Sequence, residues 1–201
     1  MAAPLFITLE GGEGAGKSTQ ARQLAKALAE SGRPVLLTRE PGGAPGAHFL
    51  RKLLLDGTYN WSAAAEAHLF FAARAEHCAK TIIPALAAGM TVVCDRFADS
   101  TLAYQAYGLG ADPALIEGLT RLLPRLPDRT IILTVDAATA RERVLARAKP
   151  LDHYETLSAE FHARVAEGFA AIARAAPQRC RVVDANGSIE GVHHAIMATL
   201  A

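Results

Sequence analysis

Short apolar runs alternate with longer amphipathic stretches along the whole chain. The runs are Leu5-Phe6-Ile7-Thr8-Leu9, Val35-Leu36-Leu37-Thr38, Thr91-Val92-Val93-Cys94, Thr130-Ile131-Ile132-Leu133-Thr134-Val135 and Arg181-Val182-Val183-Asp184. Each is too short for a buried helix and apolar at both odd and even positions, which predicts strands covered on both faces. Between them the period changes to that of a helix. Ala21, Leu24, Ala25 and Leu28 lie on one face of a helix that starts at Lys17 and stops at Ser31-Gly32. A short helix follows around Leu50, Leu53 and Leu54, with Arg51 off its apolar side and Asp56-Gly57 ending it. Ser62 is placed to cap an alanine-rich helix over 63 to about 78, carrying Leu69, Phe70, Ala73 and Arg74. Pro84 predicts a break, with a second helical piece over 82–88 closed by Gly89.

The second half repeats the alternation. Asp99-Ser100 opens a helix carrying Thr101, Tyr104 and Gln105, and Asp112-Pro113 opens another that ends by Pro124 and Pro127. Asp136 caps a helix from 138 to about 147. After an interruption over 148–155, a long helix runs from about 158 to 175, and Asn186-Gly187-Ser188 turns into a last helix ending near Leu200. Strand–helix alternation without repeat or linker predicts one α/β domain: a parallel five-stranded sheet with helices on both faces. Ligands of such sheets bind beyond the carboxyl ends of the strands. At 201 residues and 51% apolar, the chain can bury a sizeable core and is not disordered.

The net charge of +1 gives no global electrostatic case for nucleic acid, and no apolar stretch approaches a membrane span. A strand begins almost at the first residue, which leaves no room for a signal peptide. The three cysteines, Cys78, Cys94 and Cys180, are odd in number and lack C-x-x-C spacing. They predict a reduced, cytoplasmic protein without disulfides.

The chemistry concentrates at the strand ends. Gly11-Gly12-Glu13-Gly14-Ala15-Gly16-Lys17-Ser18 fits G-x-x-x-x-G-K-[ST] between a strand and a helix, the context that motif needs. Glycines let several backbone N–H groups converge, and the helix start adds unpaired N–H groups and the positive end of its dipole. The result is a phosphate cradle, with Lys17 reaching the β- and γ-phosphates and Ser18 holding Mg²⁺. Such a cradle alone permits hydrolysis, transfer or binding. The guanine-reading pattern N-K-x-D is absent. Arg51, Arg74 and Arg96 are planar donors suited to phosphate or a base edge, and Phe70 stands one helical turn before Arg74. These residues fit a second phosphorylated substrate. A kinase for another nucleotide and a slow ATP-binding regulatory module remain the alternatives at this point.

With these residues in hand, the chain resembles bacterial thymidylate kinases, P-loop nucleoside monophosphate kinases, over nearly its whole length. The resemblance rests on the loop from Phe6 to Thr19, on Thr38-Arg39-Glu40-Pro41-Gly42-Gly43, Arg51-Lys52-Leu53-Leu54-Leu55 and Leu69-Phe70-Phe71-Ala72-Ala73-Arg74, and on Asp95-Arg96-Phe97 followed by Ser100-Thr101-x-Ala103-Tyr104-Gln105. It implies a P-loop NTPase-type fold with a short lid over about 143–157, and Mg²⁺-dependent transfer of the ATP γ-phosphoryl to dTMP for dTTP synthesis. It also implies a homodimer packed through long helices, for which the alanine-rich 63–78 helix is the candidate. Under the resemblance Gly11 to Thr19 bind ATP. Phe70 stacks on thymine, Arg74 donates to its O4, and Thr101 and Gln105 lie near the base. Tyr104 lies under the deoxyribose. Arg96, Arg51 and Arg39 grip the dTMP phosphate, with Pro41 in the same pocket and Glu13 near the 3′-hydroxyl and phosphate. Asp95 acts on Mg²⁺ through water, and the 184–190 loop lies against adenine. Because the loop holds Glu13 and not an arginine, the catalytic arginine is expected in the lid: Arg147 first, Arg143 second. The chain departs from the family where the lid reads Asp152-His153-Tyr154-Glu155 instead of Asp-Arg-x-Glu, and where Ala106, Ala166 and Phe169 replace the usual glycine, arginine and tyrosine.

Overall fold

A computed structural model of the chain describes residues 3–147 and 150–200. Five strands form one sheet in the order β2-β3-β1-β4-β5: β1 (Phe6–Gly11), β2 (Val35–Arg39), β3 (Thr91–Asp95), β4 (Arg129–Thr134) and β5 (Cys180–Asp184). Every neighbouring pair is parallel. The helices are α1 (Lys17–Glu30), α2 (Pro45–Leu55), α3 (Ala63–His77), α4 (Ile83–Ala87), α5 (Ala98–Thr101), α6 (Pro113–Arg121), α7 (Ala137–Leu145), α8 (Ala159–Ala175) and α9 (Ile189–Ala198).

The runs of the three central strands β1, β3 and β4 are buried on both faces, as their two-sided pattern requires; the edge strands β2 and β5 are not, and leave Leu37 and Val182 exposed, because helices cover the middle of the sheet more fully than its edges. Ile7 and Leu9 of β1, Val93 of β3 and Ile131 and Leu133 of β4 pack against Leu24 and Leu28 of α1 and Val192 and Ile196 of α9. The alternate residues Phe6, Val92 and Cys94 turn to the other side, against Phe71 of α3 with Phe97 and Ile116. Ile132 joins Tyr104, Tyr154, Phe161 and Val165 in a third cluster. Each fully buried aliphatic side chain contributes about 1.5–3 kcal/mol, so the sheet position is strongly specified.

β1 lies between β3 on one side and β4 on the other, and the chain reverses its direction of travel across the sheet there. That is the switch point, and the ends of β1 and β3 open onto one crevice. β1 runs two residues further than its apolar run, through Glu10 to Gly11. Gly11 has φ 134, and a Cβ there would run into the Leu133 carbonyl of β4.

The helix signals act as read. Ser62 accepts from Ala65 N (3.3 Å), Asp112 from Ala114 N (2.9 Å) and Asp136 from Thr139 N (2.8 Å). Two segments differ. Pro84 does not break the 63–88 stretch: a π-helical turn over Cys78–Ile82 joins α3 to α4. The wider turn accommodates the missing N–H and the bulk of the proline ring. The helix expected from Asp99-Ser100 is α-helical only over Ala98–Thr101, and Leu102–Gly108 is π-helical. Tyr104 and Gln105 therefore stand on a widened turn, a form common at functional sites.

Candidate active site

The loop after β1 wraps around the start of α1. Gly14 (φ 73) and Gly16 (φ 86) adopt left-handed backbone, which costs other residues about 1–2 kcal/mol. At Gly14 a Cβ would also overlap the backbone of Ala140 in α7, so the loop rests directly on that helix. Lys17 Nζ donates to Gly12 O at 2.6 Å, closing the loop over its own lysine. Burial lowers the Lys17 pKa to about 8; Arg96 adds to the lowering, and Glu13, Asp95 and Glu10 oppose it. Ser18 Oγ donates to the Asp95 carboxylate at the end of β3. These are two hard oxygen donors in contact at the helix N-terminus. No cluster of three or more His, Cys, Asp or Glu able to hold a metal occurs among the described residues. The donor set thus fits Mg²⁺, which keeps waters and draws its other ligands from substrate phosphates, and not a metal caged by protein.

Arg96 follows β3 with φ 71, the non-glycine residue with positive φ among those described. Such a conformation costs on the order of 1–3 kcal/mol and persists only where the surroundings enforce it. Here they do. Arg96 N donates to Leu9 O (2.9 Å), and the next amide, Phe97 N, donates to Glu10 Oε1 (2.7 Å). The guanidinium donates to Gly11 O (3.1 Å), Ser100 Oγ (3.2 Å), Tyr104 OH (3.1 Å) and the Glu13 carboxylate, and sits over the Tyr104 ring at 4.9 Å. Burial opposes its charge, but Glu13, Tyr104, Asp95 and Glu10 outweigh that and raise its pKa. Burial likewise pushes Glu13 up, yet Arg96, then Lys17 and the Tyr104 hydroxyl, bring it down to about 2. Beneath them Glu10, fully buried, is raised to about 7 by burial and by Asp99, despite the hydrogen bonds from Ser100 and Phe97.

The third group comes from α3 and the π-helical turn. Phe70 flanks the cleft, 6.2 Å from the Tyr154 ring. Arg74 is 2% exposed. Its Nε donates to Glu40 Oε2 (2.7 Å) and its Nη2 to Phe97 O (3.0 Å) and Thr101 Oγ1 (3.1 Å), while Nη1 is buried without a partner among the described residues. Gln105 Nε2 donates to Glu66 Oε2 (3.2 Å) and Tyr154 OH (3.1 Å), and Tyr154 OH donates to Glu66 (2.8 Å). Arg51 Nη1 donates to Pro41 O (2.8 Å); burial, then the Arg39 charge, lowers its pKa.

One cleft of ≈ 690 Å³ joins these groups. Glu13, Gly14, Ala15, Gly16, Lys17, Ser18, Thr19, Arg39, Pro41, Arg51, Phe70, Arg74, Asp95, Arg96, Thr101, Tyr104, Gln105, Arg143 and Arg147 all line it; Gly11 and Gly12 form the loop behind it. The two lid-side arginines differ in placement. Arg143 donates to the carbonyls of Ala185 (2.8 Å), Asn186 (3.3 Å) and Gly187 (3.3 Å), on the loop after β5. Arg147 lies beyond the end of α7, paired with Glu155 at 2.9 Å. Ala148 and Lys149 of the expected lid lie outside the described residues.

Four residues missed in the sequence complete the site: Glu10, Glu40, Glu66 and Tyr154. Glu10 and Glu40 stood in plain view inside quoted motifs, but nothing in their spacing shows that they face inward onto Phe97 N and Arg74. Glu66 had only an acidic position in the first turn of α3 to mark it.

A Thymidylate kinase family model matches residues 9–196 of the chain. The chain is 51% identical over 197 residues to a thymidylate kinase of Gluconobacter oxydans, covering 96% of this chain and 92% of that protein. It is 45% identical over 194 residues to one of Caulobacter vibrioides, covering 95% and 93%. A crystal structure of thymidylate kinase from Ehrlichia chaffeensis superposes with a TM-score of 0.83 at 36% identity, over all of both chains.

Proposed function

The chain belongs to the thymidylate kinase family, and from that premise we propose how its own cleft serves the reaction of a dTMP kinase: transfer of the γ-phosphoryl group of ATP to dTMP, giving dTDP and ADP. The observation that carries this reading is the juxtaposition in one cleft. A phosphate cradle and an aromatic–arginine subsite face each other across Arg96.

The Gly11 to Thr19 loop and Lys17 take the ATP phosphates, and the loop carrying Ala185 and Gly187, held by Arg143, walls the adenine end. Phe70 offers its face to a base. The unpartnered Nη1 of Arg74 is a buried donor waiting for an acceptor, which a thymine O4 supplies. Tyr104 fills the floor between base and phosphate, where it crowds a 2′-hydroxyl. Arg96, Arg51 and Arg39 gather at the acceptor phosphate.

The dTMP phosphate is already anionic, so no general base is required. An oxygen of that phosphate attacks the γ-phosphorus, and the bond to the ADP oxygen breaks in line. The protein supplies position and positive charge around the equatorial oxygens. Lys17 and Arg96 are fixed before substrate arrives: Lys17 by Gly12, and Arg96 by Gly11, Ser100, Tyr104 and Glu13. Arg147 stands at the cleft wall to add charge from the lid segment over 143–157. Ser18 and, through water, Asp95 would hold Mg²⁺, whose charge offsets that of the β- and γ-phosphates.

Two further readings accompany this one. The protein acts as a homodimer through α2 and α3. Phe49 of α2 is 71% exposed, and α3 turns Ala64, His68, Ala72 and Ala75 outward along one stripe. It works in the cytoplasm, in keeping with three free, buried cysteines and with no helix among the described residues long and apolar enough to cross a membrane.

The test is ADP formation from ATP and Mg²⁺ with no acceptor, dTMP, dUMP, the ribose form of TMP, dCMP, dGMP and AMP. Release that depends on dTMP, with dUMP weaker and the ribose form weaker still, supports the reading. Acceptor-independent release, or preference for a purine monophosphate, overturns it.

A further inference from the structure

We propose that Glu40 and His77 set the base selectivity of the acceptor subsite, as positioning residues that hold Arg74 as a donor to a base carbonyl. The proposal rests on the reading of Arg74 given above.

An arginine has five N–H groups and can present any edge to a neighbour. Arg74 cannot. Its guanidinium lies 4.6 Å from the Phe71 ring centre and 5.2 Å from that of Phe97, which fixes its plane. Within that plane Glu40 takes Nε, while Phe97 O and Thr101 take Nη2. The edge left over is Nη1. Arginine has no acceptor, so this edge accommodates a carbonyl and rejects an amino group, which would set donor against donor in a buried place.

Glu40 itself is pinned by a second buried contact. Its Oε1 lies 2.9 Å from His77 Nδ1, and His77 Nε2 lies 2.8 Å from Thr38 Oγ1. Facing a carboxylate that already accepts from Arg74, Nδ1 carries the hydrogen. On the other side of the ring Nε2 meets the Thr38 hydroxyl. The hydrogen bonds thus link Thr38 through His77 to Glu40, and Arg74 meets them there. His77 is fully buried, and Gly43 lies so close that a Cβ would overlap its ring. Thr81 ties Gly43 O down at 2.7 Å. Both oxygens of Glu40 are thus committed to protein donors, and its effect on a base passes through Arg74.

The test measures kcat/KM for dTMP, dUMP and dCMP, with a melting curve for each protein: wild type, Glu40→Ala, His77→Phe and His77→Asn. dTMP and dUMP both present O4; dCMP presents an amino group. In E40A the dTMP-to-dCMP ratio is expected to fall by about tenfold or more, because Arg74 can then turn away from the base, which removes both the donor to O4 and the donor that repels an amino group. In H77F the ratio falls by a smaller factor. H77N recovers it, because the asparagine amide N–H overlays that of Nδ1. The dTMP-to-dUMP ratio stays at its wild-type value in all three, since the 5-methyl group is read elsewhere. A merely structural role would lower all three substrates together. Should E40A fail to fold, the H77F and H77N pair decides. Unchanged dTMP-to-dCMP ratios in E40A and H77F, or an H77N that falls with H77F, overturn the proposal. A wild type that ignores dTMP overturns the reading of the site itself, which the wild-type arm alone reveals.

Discussion

A methyl group at Gly14 tests whether the phosphate loop is held by α7 or only by its own turns. Gly14→Ala and Gly16→Ala form a matched pair. Both residues are left-handed, at φ 73 and φ 86, so each substitution carries the same backbone cost of about 1–2 kcal/mol. Each also gains the same small amount, about 0.4–1 kcal/mol, from a stiffer unfolded chain. Their surroundings differ. Nothing lies within 4 Å of a Cβ at Gly16, whereas at Gly14 the Cβ would stand 2.7 Å from Ala140 Cα and 2.8 Å from its carbonyl carbon, with the carbonyl oxygen nearer still. Those atoms are backbone within a helix and cannot rotate away. Overpacking of this kind costs about 1–3 kcal/mol, and a rigid neighbour places it in the upper part of that range. G14A is therefore expected to be about 2–3 kcal/mol less stable than G16A. For a chain of this length that is roughly 4–12 °C in melting temperature. The assay is thermal or urea unfolding without nucleotide, because a phosphate held at Gly16, as proposed, would leave the comparison no longer matched. G14A and G16A melting together would refute the claim that the loop rests on α7.

Four other outcomes follow from the site. Arg147→Ala should lower kcat by ~10²-fold or more with little change in KM for dTMP, the signature of a contact made in the transition state; an unchanged kcat removes Arg147 from the mechanism. Because Lys17 titrates at about 8 in the free protein, ATP affinity should be level below pH 8 and fall by up to about tenfold per pH unit above it, since binding must then restore the proton; isothermal titration showing no loss by pH 9.5 would sink this. Asp95→Asn should raise the Mg²⁺ concentration needed for half-maximal rate by ~10-fold or more while dTMP affinity holds, read from metal titrations at saturating substrates. Phe49→Glu should shift the protein to monomer in sedimentation at micromolar concentration, and a wild type already monomeric there would end the homodimer reading.

Much of this molecule can be read along the chain because its local rules agree with one another. The apolar runs of the central strands, caps at Ser62, Asp112 and Asp136, and glycines at helix ends each act over a few residues and hold in the fold; the two-sided pattern fails only at the edge strands β2 and β5, where Leu37 and Val182 stay exposed. The phosphate loop is legible for the same reason: its function depends on backbone shape, and glycine spacing reports backbone shape. The strand ends place Arg39, Asp95 and Arg96 at one crevice by topology alone. What the sequence could not determine is which charged and polar groups meet. Glu40 and Arg74 are 34 positions apart, Glu13 and Arg96 are 83 apart, and Glu66 and Tyr154 are 88 apart. A buried ion pair leaves no period in a sequence, since either partner alone looks like a surface charge. The π-helical turn carrying Tyr104 and Gln105 was also invisible, because a helix widened by one residue changes no local propensity. Folding alone decided that Arg143 turns to the Ala185–Gly187 carbonyls while Arg147 pairs with Glu155. Two arginines with the same chemistry, four positions apart, were separated only by where their helix ends and which partners the tertiary structure brought within reach.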